Sequence, residues 1–313
     1  MYKDKIKIGS LTLANRMVMP PMATEKTEDG RVSEALIDYY KERSGHIGLI
    51  ITEHAYVEKR GKASLHMLPM DEHADMEGLK RLVEAIHQKG TTKVFAQINH
   101  AGVQIRENVP NQNPVVVDEL SLDEIREVKG YYVAAAKRAK EVGYDGVEIH
   151  CAHGYLLNQF YSPLHNHRTD LYGGSLEGRT RLQCEIIRAV RETVGTDYPI
   201  AFRFGAVDHL EGGSSMGEAA KAAKLFEAAG VDVLDISGGC CKYTLPGNDE
   251  AGYFGEEAAR IKAAVNIPVI LTGGLRTKED CEKFLNAGAC DLVGIGRPLL
   301  TDAAYVDKLL EME

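Results

Sequence analysis

Between residues 146 and 179 the chain reads GVEIHCAHGYLLNQFYSPLHNHRTDLYGGSLEGR, and three side chains in it are equipped to do chemistry together: His150, His153 and Tyr155. They follow a short apolar run, Gly146 to Ile149, of the kind that forms a buried parallel strand. If Ile149 closes a barrel strand, these groups lie at its C-terminal mouth, where barrel enzymes hold their catalytic residues. Two imidazoles and a phenol offer hydrogen-bond donors to a substrate oxygen without a formal negative charge. That set suits activation of a carbonyl followed by delivery of a proton. Two histidines at this spacing could also ligate a metal. Apart from Glu53, no acidic or cysteine third ligand stands at a neighbouring strand end, and no metal is expected. Tyr155 by itself is equally compatible with a packed aromatic.

Groups drawn from several strand ends need strands that all run one way. Strands are expected at 16–22, 47–52, 94–98, 147–149, 200–204, 233–236, 269–271 and 292–295. A helix capped by Ser33 follows the first, and helices at 71–89, 122–142, 176–194, 217–229, 256–265, 278–287 and 303–310 follow the others. Pro20 and Pro21 must lie past the end of the first strand, because a ladder needs the N–H that proline lacks. Residues 5–15 read as a hairpin that plugs the bottom. This is an α/β pattern, a (β/α)8 TIM barrel with a short N-terminal β-hairpin, expected as one domain over 1–313. A doubly wound sheet would want G-x-G-x-x-G after the first strand, and RMVMPPMATEK has none.

Composition narrows the partners. A net charge of −9 argues against nucleic acid or an anionic membrane, and no apolar run reaches the length of a membrane span. Six cysteines include no C-x-x-C pair, which reads as reduced thiols rather than a zinc or iron–sulfur framework. With no apolar signal core at MYKDKIKIG, the expected location is cytoplasmic. A homo-oligomer is compatible with the sequence.

The remaining strand ends suggest a ligand. Gly273 and Gly274 let backbone N–H groups approach an anion, Arg297 beside Gly296 adds a fixed charge, and Thr277 could add a capping hydroxyl. Barrels often bind phosphate with the loops after strands seven and eight. The competing reading is tight turns and a surface ion pair. A phosphate with nothing else demanding a phosphosugar suggests a phosphorylated cofactor. Gln97 could pair with the pyrimidine edge of a flat ring, and Arg203 could stabilise the reduced anion at its N1–C2 edge. Alternatively, Gln97 is a satisfied polar residue of the barrel's upper layer and Arg203 half of a structural ion pair.

EIHCAHGYLLNQFYSP followed by NHRTDLYGGS, with QINHAG upstream and GGL…GIGRPLL downstream, closely resembles the Old Yellow Enzyme family of FMN-dependent ene-reductases, over nearly the whole chain. The resemblance implies an FMN-binding TIM barrel that takes electrons from NADPH or NADH and reduces the C=C bond of α,β-unsaturated carbonyl or nitro compounds. It implies that His150 and His153 hydrogen-bond the substrate oxygen, that Tyr155 gives a proton to the α-carbon, and that hydride passes from flavin N5 to the β-carbon. It further implies that Gln97 binds the pyrimidine part of FMN and Arg203 its N1–C2 edge. The Pro21-Met22-Ala23 backbone would line the other side of the ring, and Gly273, Gly274, Gly296 and Arg297 would hold the phosphate.

Three departures stand out. The family usually has Thr or Cys at Ala23, bonded to flavin O4. It usually has Asn at Gly178, which bears on the start of the fourth helix. Sixteen residues follow Arg297, without the cysteine run that larger relatives use for an iron–sulfur cluster, so no cluster is expected. His54 follows Glu53 where relatives tend to have a small residue. It is read either as a contact to the cofactor's O4 edge or as a residue behind the site. The alternative function is a flavin-free TIM-barrel lyase or isomerase on a phosphorylated substrate, with His150 and His153 as acid and base. A non-catalytic ligand-binding barrel is a third reading.

Overall fold

Two three-residue strands open the chain, β1 (Ile6–Ile8) and β2 (Leu11–Leu13), paired antiparallel around a turn where Gly9 takes φ +55°. Ile8 and Leu13 are fully buried against Val18, Leu49, Phe95, Val233, Ile270 and Leu292 from inside the barrel. The hairpin therefore seals the barrel's N-terminal end, the role read from its alternating pattern. The computed structural model describes residues 1–111 and 113–311.

Beyond the plug come β3 (Met17–Met19), β4 (Leu49–Ile51) and two short outlying strands, β5 (Ala55–Tyr56) and β6 (Leu68–Pro69). They are followed by β7 (Lys93–Asn99), β8 (Gly146–Cys151), β9 (Ile200–Gly205), β10 (Val233–Ser237), β11 (Val269–Thr272) and β12 (Leu292–Gly294). Strands β3, β4 and β7 to β12 pair in parallel, and β4 pairs with both β3 and β7, so the ring of eight is closed. An open doubly wound sheet is thereby ruled out.

Helices α1 (Glu34–Arg43), α2 (Met76–His87) and α3 (Leu122–Val142) cover the first half of the ring. Then follow α4 (Leu156–Tyr161), α5 (Leu176–Arg179), α6 (Arg181–Val194), α7 (Met216–Ala229), α8 (Gly255–Lys262), α9 (Lys278–Asn286), α10 (Pro298–Thr301) and α11 (Tyr305–Leu310). Their starts are set locally. Ser121, Ser215 and Thr277 each accept from the third helical N–H, and the acidic residue there bonds back to the cap N–H.

The structure departs from the sequence reading in two useful places. The expected helix over 176–194 is broken at Thr180, whose hydroxyl donates to the Leu176 carbonyl. Gly178 explains the tight first turn: a Cβ there would stand 2.1 Å from the Gly173 carbonyl oxygen, so the residue that departs from the family pattern is the one this loop can accommodate. Helix α4 was not foreseen. All six of its side chains are buried, so it lacks the one-sided apolar stripe that marks a surface helix.

Candidate active site

The strand ends converge on a cavity of about 470 Å³ to which all eight barrel strands or the segments directly after them contribute. A pocket of this size suits a cofactor-sized ligand. Every site residue read from the sequence lines it: Pro21, Met22 and Ala23 after β3, His54 after β4, Gln97 in β7, His150 in β8, His153 and Tyr155 after it, Arg203 in β9, Gly273 and Gly274 after β11, and Gly296 and Arg297 after β12. Thr277 is the exception. It caps α9, and the Asp280 carboxylate already accepts from the N–H groups of Arg276 and Thr277, so that helix start holds its own anion.

His150, His153 and Tyr155 come together because His150 is the penultimate residue of β8, His153 and Tyr155 follow directly on its end, and α4 begins just after Tyr155. The ring of His150 stands 5.1 Å from that of Tyr155 and 4.9 Å from that of His153, centroid to centroid. His153 adopts φ +62°, a left-handed conformation that a non-glycine residue holds at a cost and that clusters at functional sites. Its N–H donates to the Gly238 carbonyl, and its Nε2 shares a 2.8 Å hydrogen bond with Ser237 Oγ.

Electrostatics keep this cluster neutral. Burial, with smaller effects from His153, Arg203 and His54, holds His150 well below the usual imidazole range. Burial and Arg203 do the same for His153. Burial pulls His54 down to about 4, and Asn99 Nδ2 donates to its Nδ1 at 3.0 Å, which leaves the ring proton on Nε2. The Tyr155 phenol is not unperturbed: burial raises it above 10, making it a firmly protonated and slower acid than its sequence alone implies.

Beneath the cavity lies a polar layer. Gln97 Nε2 donates to Glu148 at 2.8 Å, and Arg203 Nη1 donates to Asp235 at 2.8 Å. Burial raises both carboxyls. Arg203 and the Thr272 hydroxyl hold Asp235 down, whereas the neighbouring Asp235 lifts Glu148 further, so the pair keeps a proton on Glu148. Gln97 and Arg203 each bond to a carboxylate within the barrel layer, and each also lines the cavity. Among the described residues, Arg203 Nε and His150 Nδ1 are buried without a hydrogen-bond partner. Glu53, the one acid weighed as a third metal ligand, is instead bonded to Thr24 and Tyr40.

Residues 4–312 match the NADH:flavin oxidoreductase / NADH oxidase family. The chain belongs to that family. It is 44% identical to an NADH oxidase of Thermoanaerobacter brockii over 97% of its own length, and it spans 50% of that protein. An NADPH dehydrogenase of Clostridium acetobutylicum is 36% identical, with 96% of this chain and 91% of the relative covered. Among solved structures, the old yellow enzyme homologue from Zymomonas mobilis superposes with a TM-score of 0.87 at 27% identity, covering 99% of this chain and 92% of that one. The resemblance read from the motifs is borne out, and a flavin-free lyase finds no support among the relatives.

The cavity of this family member fits the cofactor the family name implies. Two buried nitrogens, Arg203 Nε and His150 Nδ1, have no hydrogen-bond partner among the described residues, and the glycines after β11 are tightly held: a Cβ at Gly274 would meet the Tyr253 ring at 2.8 Å and one at Gly273 at 3.1 Å, whereas one at Gly296 would stand in ordinary contact with the Pro20 ring at 3.4 Å. Other lining residues escaped the sequence reading. Ser237 joins Arg203 to His153, Arg106, Tyr243 and Tyr253 reach the cavity from long loops, and Arg276 reaches it from the short link between β11 and α9. Ser237 was visible as the end of the sixth strand, but the loop residues carried no periodic signal.

Proposed function

We propose that this chain is the FMN-binding barrel of an NAD(P)H-dependent reductase of activated C=C bonds, in the cytoplasm. The observation that carries the reading is the cluster of two neutral imidazoles and a protonated phenol on one wall of a cavity whose other end is glycine- and arginine-rich. Bound FMN supplies two-electron transfer between the nicotinamide and the alkene. Gln97 and Arg203 hold its ring, Pro21, Met22 and Ala23 line it, and Gly273, Gly274, Gly296 and Arg297 hold its phosphate.

Reduction of an alkene conjugated to a carbonyl or nitro group builds negative charge on oxygen. His150 and His153 donate to that oxygen, an interaction stronger in the transition state than in the ground state. Because neither ring is charged, neither binds the ground-state oxygen so tightly that the gain is lost. Tyr155 holds the proton destined for the α-carbon. Ser237 accepts from Arg203 and can pass its own hydroxyl proton toward His153 Nε2, which sets that ring's proton on Nδ1. His54, a fixed Nε2–H donor beside Tyr155, supplies a hydrogen bond at the wall where Ala23 has none to give.

The test is direct. Purified protein supplied with FMN is expected to show flavin absorbance, to bleach anaerobically with NADH or NADPH, and to regain colour on adding a simple enone. Protein that stays colourless with FMN, or a reduced flavin that no activated alkene reoxidises, would remove the proposal.

A further inference from the structure

Four arginines line the cavity, Arg106, Arg203, Arg276 and Arg297, and among the described residues no aspartate or glutamate does, on a chain whose net charge is −9. A cationic pocket with low-dielectric walls concentrates anions far above what the acidic surface would allow. Arg203 in β9 and Arg297 after β12 are absorbed by the reading above, and Arg276 stands beside that same end, after the glycines of β11. Arg106 is not absorbed by it. It stands on the loop after β7, and in the closed ring β7 lies opposite β11.

The position of Arg106 is built. Its N–H donates to the Ala63 carbonyl at 2.9 Å, and its Nη1 donates to Glu25 at 2.8 Å. Its charge reaches the Tyr155 phenol and the His54 ring, so it belongs to the side of the cavity where the proton donor stands. The side chain is 58% exposed and the Glu25 pair is open to solvent. Such exposed pairs contribute only ~0–1 kcal/mol, so the Glu25 carboxylate can be exchanged for that of a competing anion.

Resting on the ene-reductase reading of this cavity, we infer that Arg106 is a specificity residue that binds a carboxylate borne by the alkene substrate. The substrate class is then activated alkenes that carry a carboxylate in addition to the carbonyl seated at His150 and His153. A planar guanidinium matches a carboxylate with two parallel hydrogen bonds, which a lysine does not reproduce. Glu25 competes with the substrate for the same group, so the two residues tune anion affinity in opposite directions.

The test uses FMN-loaded enzyme with benzylideneacetone and its para-carboxy analogue, which share the reacting enone and differ in one charge. The ratio of kcat/KM for acid over neutral ketone is expected to fall about tenfold in Arg106→Gln, to recover in part in Arg106→Lys, and to rise in Glu25→Gln. Binding of the acid to the oxidised enzyme, read from the flavin spectrum, is expected to weaken by a similar factor in Arg106→Gln. A ratio and an affinity unchanged in Arg106→Gln would overturn the assignment. So would a selective rise in KM for NADH or NADPH, which would give the guanidinium to the dinucleotide's phosphates. Failure of both ketones to reoxidise the reduced enzyme would count against the ene-reductase reading, and the binding measurement would still decide the role of Arg106.

Discussion

Tyr155 stands between two imidazoles, with ring centroids 5.1 Å from His150 and 5.4 Å from His54. Removing only its hydroxyl isolates the proton. Tyr155→Phe is expected to slow reoxidation by an enone ~100-fold more than it slows reduction by nicotinamide, as stopped-flow of the two half-reactions would show. A second residue-scale prediction concerns Glu53. Burial raises its carboxyl to about 7, against hydrogen bonds from Thr24 and Tyr40 that favour the charged form. The unfolded carboxyl ionises near its ordinary value, so the stability tied to this proton is present at low pH and lost as pH rises toward and through 7. Glu53→Gln, neutral at every pH, is expected to be more stable than the parent by about 2–3 kcal/mol at pH 8 and nearly equal to it near pH 4.5, by urea denaturation.

Helix α4 and the short α5 form the frame behind His150, His153 and Tyr155. Gln159 in α4 donates to the carbonyls of Ala101 and Gly154, and Arg179 in α5 donates to the Tyr161 carbonyl and pairs with Glu218 of α7. This frame depends on the close approach of Gly178 to Gly173. Gly178→Ala is expected to cost about 1–3 kcal/mol of stability, the cost of forced repacking, and to lower kcat through the displaced β8–α4 segment. Thermal melts and turnover of the same preparation would check both. An alanine variant as stable as the parent would mean that the loop yields where the geometry says it cannot.

At the scale of the whole molecule, burial holds four histidines below the usual imidazole range, His54, His100, His150 and His153. Unfolding releases them to titrate near 6.5. Below that pH the unfolded chain binds protons the folded chain refuses, so stability is full above about 6.5 and falls toward pH 4. The steepest slope is expected to approach ~5 kcal/mol per pH unit, and His54→Gln is expected to flatten it by about a quarter. Denaturation at pH 7 and pH 5 tests this. FMN that binds only the folded barrel adds stability as the logarithm of its concentration over Kd, about 2.7 kcal/mol at a hundredfold excess. Melting temperature is therefore expected to rise with added FMN.

The order of strands and helices was legible in the amino-acid sequence because each element carries its own local signal: apolar runs, caps such as Ser121 and Ser215, and glycines such as Gly143 and Gly230 that close helices in the left-handed conformation. Strand polarity then carried the candidate residues at the strand ends to one mouth, since in a parallel barrel the carboxyl ends share a side. Three things were decided only by the tertiary structure. Arg203 pairs with Asp235 and Gln97 with Glu148 across neighbouring strands, contacts that no spacing along the chain encodes. Neutral His150 and His153 and the raised Tyr155 follow from burial, which depends on every element packed around them. Arg106 reaches the cavity from a loop, where residue type gives no direction and long-range contacts with Ala63 and Glu25 set the place.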